Sequence, residues 1–366
     1  MDATQYYIGI MSGTSMDGAD AVLIHMSGMQ WHSADAHAFT PYPPALKQAL
    51  LDLQDCGSGE LHRSRLLAQQ LSRLYAETTA KLLQKSGLMP SEITAIGCHG
   101  QTVRHAPEHG YSIQLADWAL LAELSGIPTI GDFRSSDLAA GGQGAPLVPA
   151  FHQALFAAPG ETRVLLNIGG IANISVLPAD RPAFGFDTGP GNMLLDAWMQ
   201  RTFNRPYDAD GQTAASGRTL PTLLARLLDH EYFRRPPPKS TGRELFAPAY
   251  LDALLGGSEQ PQDVLRTLAA FSAQTIAAEI RRHAPDARQI YLCGGGIRNR
   301  TLTGELQTLL PQATLHSTAE LNLDPQWVEA AAFGWLAACR THRLPGNPHH
   351  ATGARGPRIL GCMYLP

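Results

Sequence analysis

The stretch Tyr7-Ile8-Gly9-Ile10-Met11-Ser12-Gly13-Thr14-Ser15-Met16-Asp17-Gly18 passes from an apolar run into a turn of small residues. It opens a meander. Tyr6 to Met11, Ala19 to Met26 and Trp31 to Thr40 are apolar or alternating runs separated by turn-rich segments, which predicts three antiparallel strands. The arrangement recurs far along the chain as Arg163 to Ile168, a Gly169-Gly170 turn, Ile171 to Leu177, and Ala183 to Phe186. A long amphipathic helix follows each meander. The first carries Leu67, Leu71, Leu74, Thr78 and Leu82 on one face, and the second, opened by Pro261 with Asp263 in its first turn, carries Leu265, Leu268, Ala269, Ser272, Ile276 and Ile280. Each helix then leads to a strand expected to end in glycine: Ile93 to Cys98 before His99-Gly100-Gln101, and Gln289 to Cys293 before Gly294-Gly295-Gly296.

Meander, helix and glycine-ended strand thus occur twice, which predicts a duplicated α/β chain of two domains, each half a mixed sheet with helices. The expected boundaries are 1–133 for the N-terminal domain, joined by the C-terminal segment 345–366, and 134–344 for the C-terminal domain. Gly131 to Pro149, rich in glycine, reads as the linker. Arg234-Arg235-Pro236-Pro237-Pro238-Lys239 reads as an exposed loop, and Gln326 to Arg340 as a mostly apolar helix with Glu329 near its start.

The 366 residues suffice for two domains with a cleft between them. With 28 basic against 32 acidic residues the net charge is −4, and only 16% of residues are charged, where a typical globular protein has roughly 25%. That composition argues against disorder and against nucleic acid as a partner. No apolar run approaches the roughly 18 residues of a membrane span, so no membrane partner is expected. The first basic residue is Lys47, which fits neither a secretory signal nor a transit peptide. Cys56, Cys98, Cys293, Cys339 and Cys362 are widely spaced and read as free thiols in a reducing compartment. The expected location is the cytoplasm.

Gly13-Thr14-Ser15-Met16, His99-Gly100 and Asp187-Thr188-Gly189 look like the signatures of a subtilisin-type triad, but they run Ser, His, Asp where those enzymes run Asp, His, Ser. Aspartic proteases need two Asp-Thr-Gly copies, and there is one. Phosphate binding suits the glycine turns better. A hairpin of small residues offers backbone N–H groups, adds the Thr14 and Ser15 hydroxyls, and lets oxygens approach. Asp17 cannot itself meet phosphate, but a divalent cation held through water could lie between. Since Asp2, Asp17, Asp20 and Asp35 are unrelieved by any basic residue before Lys47, such a cation, Mg²⁺, is expected beside the nucleotide. A Walker-type loop is absent because no G-K-[ST] occurs. Gly294-Gly295-Gly296 reads as a flat backbone surface for a nucleoside. Asp187, expected to end its strand and open the turn Thr188 to Asn192, is the candidate base, with an Asx cap as the bland alternative. His99 reads equally as a structural histidine.

Tyr7 to Gly18, together with Gly97-Cys98-His99-Gly100-Gln101-Thr102, Gly131-Asp132-Phe133-Arg134, Asn167-Ile168-Gly169-Gly170-Ile171-Ala172-Asn173 and Phe186-Asp187-Thr188-Gly189-Pro190-Gly191-Asn192, resembles the anhydro-N-acetylmuramic acid kinase family over most of the chain. The resemblance implies the duplicated two-domain fold of sugar kinases, actin and heat-shock ATPases, with the active site in the interdomain cleft. It also implies a reaction: ATP phosphorylates 1,6-anhydro-N-acetylmuramic acid at O6 while water opens the anhydro bridge, giving N-acetylmuramic acid 6-phosphate and ADP in peptidoglycan recycling. By that analogy Asp187 activates the water. Gly13, Thr14, Ser15, Met16, Asp17, Gly18, Ala19 and Asp20 hold the ATP phosphates, Asn167, Gly169 and Gly170 close over them, and Gly294, Gly295 and Gly296 lie under the adenosine. The sugar falls to Gln101, Thr102, Arg134 and Glu329. Two alternatives stand beside it: a kinase of this fold acting on another sugar or a carboxylate, and an actin-like nucleotide switch. The oligomeric state, a homodimer included, is left open.

Overall fold

The computed structural model describes residues 4–13, 16–54, 56–242 and 245–366, so Thr14 and Ser15 of the expected phosphate hairpin lie outside the described residues. Two compact units divide the chain, Met1–Phe151 with Trp327–Pro366, and His152–Gln326.

In the first unit the meander forms β1 (Thr4–Ser12), β2 (Gly18–Ser27) and β3 (Gln30–Pro41), followed by β4 (Ile93–Ala106), β5 (Tyr111–Leu115), β6 (Thr129–Gly131) and β12 (Cys362–Tyr364). Their order is β12-β6-β4-β1-β2-β3, with β5 paired to β4. β1, β2 and β3 are antiparallel neighbours, while β1 with β4 and β4 with β6 are parallel. The second unit contains β7 (Arg163–Ile168), β8 (Ile171–Leu177), β9 (Phe184–Pro190), β10 (Gln289–Cys293) and β11 (Thr314–Ser317), in the order β11-β10-β7-β8-β9. Here too the first three strands are antiparallel and the last two join in parallel. The same plan is therefore laid down twice, each time with the long helix, Glu60–Ser86 or Pro261–His283, between the third strand and the fourth. This is the duplicated α/β arrangement that the repeat in the sequence predicted.

Period-two alternation sets which side of each sheet meets which helix. Ile8, Ile10 and Leu23 join Leu67, Leu71 and Leu82 of helix Glu60–Ser86 in one buried cluster. The opposite side of β1 presents Tyr7 and Gly9 to the helix Val328–Thr341. A Cβ at Gly9 would collide with the Ala330 carbonyl, one at Gly97 with the Phe333 carbonyl, so these two glycines let that helix lie directly on β1 and β4. In the second unit Val164, Leu166, Ile168, Ile174, Val176 and Phe186 pack with Leu265, Leu268, Phe271, Ile276 and Ile280 of helix Pro261–His283.

Several expectations need correcting. The compact units part after Phe151 rather than after residue 133, and the return to the first unit begins at Trp327 rather than at 345. The glycine contacts just described explain the second shift. The first arises because 131–149 is not a free linker: the buried Asp137 carboxylate accepts from Gly144 N–H at 2.9 Å, Asn347 Nδ2 at 2.8 Å and Thr352 Oγ1 at 2.8 Å. Those bonds tie the segment to the C-terminal stretch of its own unit. β4 does not stop at Cys98 but runs on to Ala106, passing Gly100 with φ 77° to pair with β5. β9 likewise continues through Asp187 to Pro190. None of the five cysteines is joined in a disulfide.

Candidate active site

In the first unit the β1–β2 turn is fixed from beneath by a chain of buried hydroxyls. Ser12 Oγ donates to Gln101 Oε1, so Tyr42 OH is the donor in its 2.5 Å bond to Ser12 Oγ, and Tyr75 OH, 3.1 Å away, donates to Tyr42. Burial pushes the Tyr42 hydroxyl up to about 12, which keeps it a donor at neutral pH. Gln101 Nε2 in turn donates to the Gly13 carbonyl at 3.3 Å. Gln101, expected on the sugar, is fully buried and spends its amide on the hairpin. Thr102 Oγ1 accepts from Gln114 Nε2 at 3.1 Å.

Met16 is fully buried at φ 53°, and its N–H closes the turn on Gly13 O at 3.1 Å. Its side chain anchors the hairpin in the core rather than facing outward. Gly18 is a packing glycine, since a Cβ there would strike the Thr40 carbonyl and the Phe39 ring, and Ala19 is buried. Two of these acids have partners: Lys47 Nζ lies 2.9 Å from Asp17 Oδ1, and His37 Nε2 lies 2.8 Å from Asp20 Oδ1. The charge argument for a cation at Asp17 therefore loses force, because the first lysine of the chain folds back onto that carboxylate.

Arg134 donates to Gly144 O at 2.6 Å and to His99 Nε2 at 2.8 Å. His99 must then be neutral with its proton on Nδ1, and burial, helped by the Arg134 charge, holds its pKa well below the usual value. Burial lowers Arg134 to about 10, opposed by Glu329 and Asp137, so the guanidinium keeps its charge at neutral pH. Arg134 and Glu329 are thus an electrostatic pair within this unit, with Glu329 in the first turn of Val328–Thr341.

In the second unit one row of residues crosses four strands in register: Cys293, Asn167, Asn173 and Asp187. Alternation places Asn167, Asn173 and Asp187 on the side of the sheet away from the core that holds Leu166, Ile168, Ile174 and Phe186. Directly paired residues stand roughly 4.5–5.5 Å apart at Cβ, so the three polar side chains form one contiguous surface. Asp187 lies inside β9, next to a register shift between Ala172 and Asn173 that leaves Thr188 with no residue of β8 in register with it. Asp187 thus sits within the strand rather than at its end. Its Oδ2 accepts from the Thr241 N–H at 3.0 Å, its N–H donates to Lys239 O at 3.2 Å, and its carbonyl accepts from Tyr232 OH at 2.7 Å.

The β7–β8 turn is held by its carbonyls: Asn192 N–H donates to Gly169 O at 2.8 Å and Gly191 N–H to Gly170 O at 2.9 Å. Neither Gly169 nor Gly170 is demanded by packing, since a Cβ would meet only ordinary contacts. The three glycines after β10 differ among themselves. A Cβ at Gly294 would strike Asn167 Oδ1, one at Gly296 the Ile168 side chain, and only Gly295 faces open space. The flat three-glycine surface expected for a nucleoside is therefore one open residue flanked by two packing positions.

Sequence reading missed Asn173, Thr241 and Tyr232, and took Lys239 for part of an exposed loop. Lys239 is in fact buried, 3.1 Å from Glu279 Oε1. A signal was present: Glu279 follows Ile276 by three and so stands on the apolar stripe of its helix, where a carboxylate requires a buried cation.

A family model for anhydro-N-acetylmuramic acid kinase matches residues 5–366. The anhydro-N-acetylmuramic acid kinase of Neisseria meningitidis serogroup C (strain 053442) is 67% identical over 362 residues, 99% of each chain. The protein of that name from Nitrosomonas europaea is 50% identical over 361 residues, 98% of this chain and 99% of that one. The chain belongs to the anhydro-N-acetylmuramic acid kinase family. It is thereby an enzyme of the sugar-kinase class, and a nucleotide switch or a kinase for another substrate is not favoured. Looser likenesses among solved structures include xylulose kinase from Rhodospirillum rubrum, with TM-score 0.46 and 14% identity, covering 92% of this chain and 90% of that chain. Among the described residues no helix of the family member is long and apolar enough to cross a membrane.

Proposed function

We propose that this family member uses ATP to phosphorylate 1,6-anhydro-N-acetylmuramic acid while water opens the anhydro bridge, giving N-acetylmuramic acid 6-phosphate and ADP. The observation that carries the mechanism is the placement of Asp187. Its carboxylate is held by a backbone N–H at 3.0 Å, in register with Asn173 and Asn167. A carboxylate fixed in this way can take a proton from a water that attacks C1. As the water oxygen bonds to C1, the C1–O6 bond breaks and its electron pair passes to O6, which attacks the γ-phosphorus and displaces ADP. One carboxylate then serves hydrolysis and transfer together.

The remaining roles follow the family motifs. The β1–β2 hairpin at residues 13–20 and the Gly169-Gly170 turn take the ATP phosphates, with Asn167 beside them, and the turn at 294–296 takes the adenosine, Gly295 offering the open backbone. Arg134, charged at neutral pH, suits the lactyl carboxylate of the sugar, with Glu329, its electrostatic partner, beside the ring. Gln101 contributes by holding the hairpin, and Thr102 lies next to it. Mg²⁺ accompanying the nucleotide would neutralise phosphate charge. Asp17 and Asp20 are oxygen donors of the kind it takes, but each is engaged, by Lys47 at 2.9 Å and His37 at 2.8 Å, which suits contact through water rather than direct ligation. A cytoplasmic location suits an ATP-requiring reaction and cysteines that form no disulfide.

The test is a coupled ADP-release assay with anhydro-N-acetylmuramic acid, N-acetylmuramic acid and glucose side by side. Turnover is expected with the anhydro-sugar and abolished by Asp187→Asn, whose carboxamide still accepts from Thr241 N–H. Activity with glucose but not with the anhydro-sugar would move the assignment to another substrate, and an Asn variant within about tenfold of wild type would remove the base role.

A further inference from the structure

Three hydrogen bonds of Asp187 run to one segment, 232–241, which is far from it in sequence. That segment has little regular structure of its own: a 3₁₀ turn at Glu231–Arg234, then three prolines, then Lys239 to Thr241. Something must fix it. Lys239 turns inward, 3.1 Å from Glu279 Oε1 on helix Pro261–His283, with its ammonium 4.9 Å from the Tyr232 ring centroid and 5.7 Å from that of Phe186. Glu279 is 2% exposed and also accepts from Arg282 at 3.3 Å, with His283 Nε2 3.3 Å from its other oxygen. A buried ion pair rarely outdoes an apolar pair in stability, so its value is more readily found in geometry.

We propose that the buried Lys239–Glu279 pair is a positioning device for the reaction: it fastens segment 232–241 to helix Pro261–His283 so that Tyr232, Lys239 and Thr241 hold the Asp187 carboxylate in its working orientation. The inference rests on the reading of Asp187 as the base. Lys239 and Thr241 are two residues apart, roughly 7 Å of extended chain at most, so displacement at one is passed to the other. A misplacement of about 1 Å in a reacting group can cost on the order of a hundredfold in rate. Lys239 and Glu279 are positioning residues, since they act through Asp187 and not on substrate.

The experiment measures kcat and KM for both substrates in the full-length protein. Removing one charge alone would strand the other, so the first variant is the neutral pair Lys239→Met with Glu279→Leu. The second is Tyr232→Phe, which deletes only the hydroxyl that reaches the Asp187 carbonyl. The third is Lys239→Arg, which keeps the buried cation opposite Glu279. The expected result is a kcat lowered about 10- to 100-fold in the first and severalfold in the second, with both KM values within about threefold of wild type, and a kcat largely restored in the third. Asp187→Asn is assayed in parallel. If it is inactive while the neutral pair and Tyr232→Phe fold and keep kcat within twofold of wild type, the positioning proposal is overturned and the base stands. If Asp187→Asn stays active, the base reading fails and this proposal fails with it.

Discussion

His152 gives the sharpest consequence that can be worked out in numbers. The ring is 3% exposed, its Nδ1 lies 2.8 Å from Ser175 Oγ, and burial lowers its pKa from 6.5 to about 3. The unfolded chain binds a proton there near pH 6.5 while the folded chain does not, so between those two values stability rises with pH and is lost as pH falls. At pH 5 the unfolded state lies about 1.5 units below its pKa, at roughly 1.36 kcal/mol per unit, which costs the fold about 2 kcal/mol relative to pH 7. His152→Gln retains a hydrogen-bonding side chain for Ser175 but cannot titrate. Chemical denaturation of the second unit at pH 7 and pH 5 should therefore show the variant losing about 2 kcal/mol less than wild type over that interval. The variant will also be weaker at pH 7, from imperfect packing, so the difference of differences is the quantity that matters. Equal losses in the two proteins would show that His152 is protonated in the fold or reaches solvent.

Other perturbations follow from the same contacts. Gly97→Ala places a Cβ against the Phe333 carbonyl and should cost about 1–3 kcal/mol, lowering the melting temperature by about 2–4 °C per kcal/mol in calorimetry; an unchanged transition would refute the close approach of helix Val328–Thr341. Gln101→Leu leaves Ser12 Oγ and the Gly13 carbonyl without their amide partner, and should raise KM for ATP about tenfold with little change in KM for the sugar. The reverse pattern would return Gln101 to the sugar. Lys47→Ala removes an exposed pair with Asp17, so stability should change by less than about 1 kcal/mol, while KM for ATP rises and the rise shrinks in added salt.

The fold was legible because its signal is periodic and repeated. Alternation in Tyr6 to Met11 and Arg163 to Ile168, glycines in the first turns, and two helices with apolar stripes are local properties that burial cannot override. What failed were the stops. Gly100 and Asp187-Thr188-Gly189 read as strand ends, yet β4 and β9 pass straight through them, because Gly100 bends at positive φ and Thr188 is absorbed by a shift of register. Glycine announces an unusual backbone but does not say whether the strand ends there or bends. The unit boundary was misread for a related reason: Ala139 to Gly144 looks like linker, and only the distant Asn347 and Thr352 show that Asp137 ties it down.

The candidate site divides along the same line between local and distant information. Asp187 and Arg134 stand out in short motifs, where residue type already states the chemistry. Their supports do not: Thr241 reaches Asp187 through a backbone N–H, which any residue but proline could offer, and so leaves no mark in the sequence. Gln101 shows the converse, a side chain suited to a sugar that is spent inside the protein on Ser12 and Gly13. Glycine is ambiguous in both units. Gly9 and Gly97 admit a helix, Gly294 and Gly296 admit Asn167 and Ile168, whereas Gly169, Gly170 and Gly295 leave room in front of the backbone. An oxygen-rich ligand needs that second kind. Counting glycines therefore overstates a phosphate or nucleoside surface, and asking what a Cβ would hit separates the positions that serve packing from those still able to face a ligand.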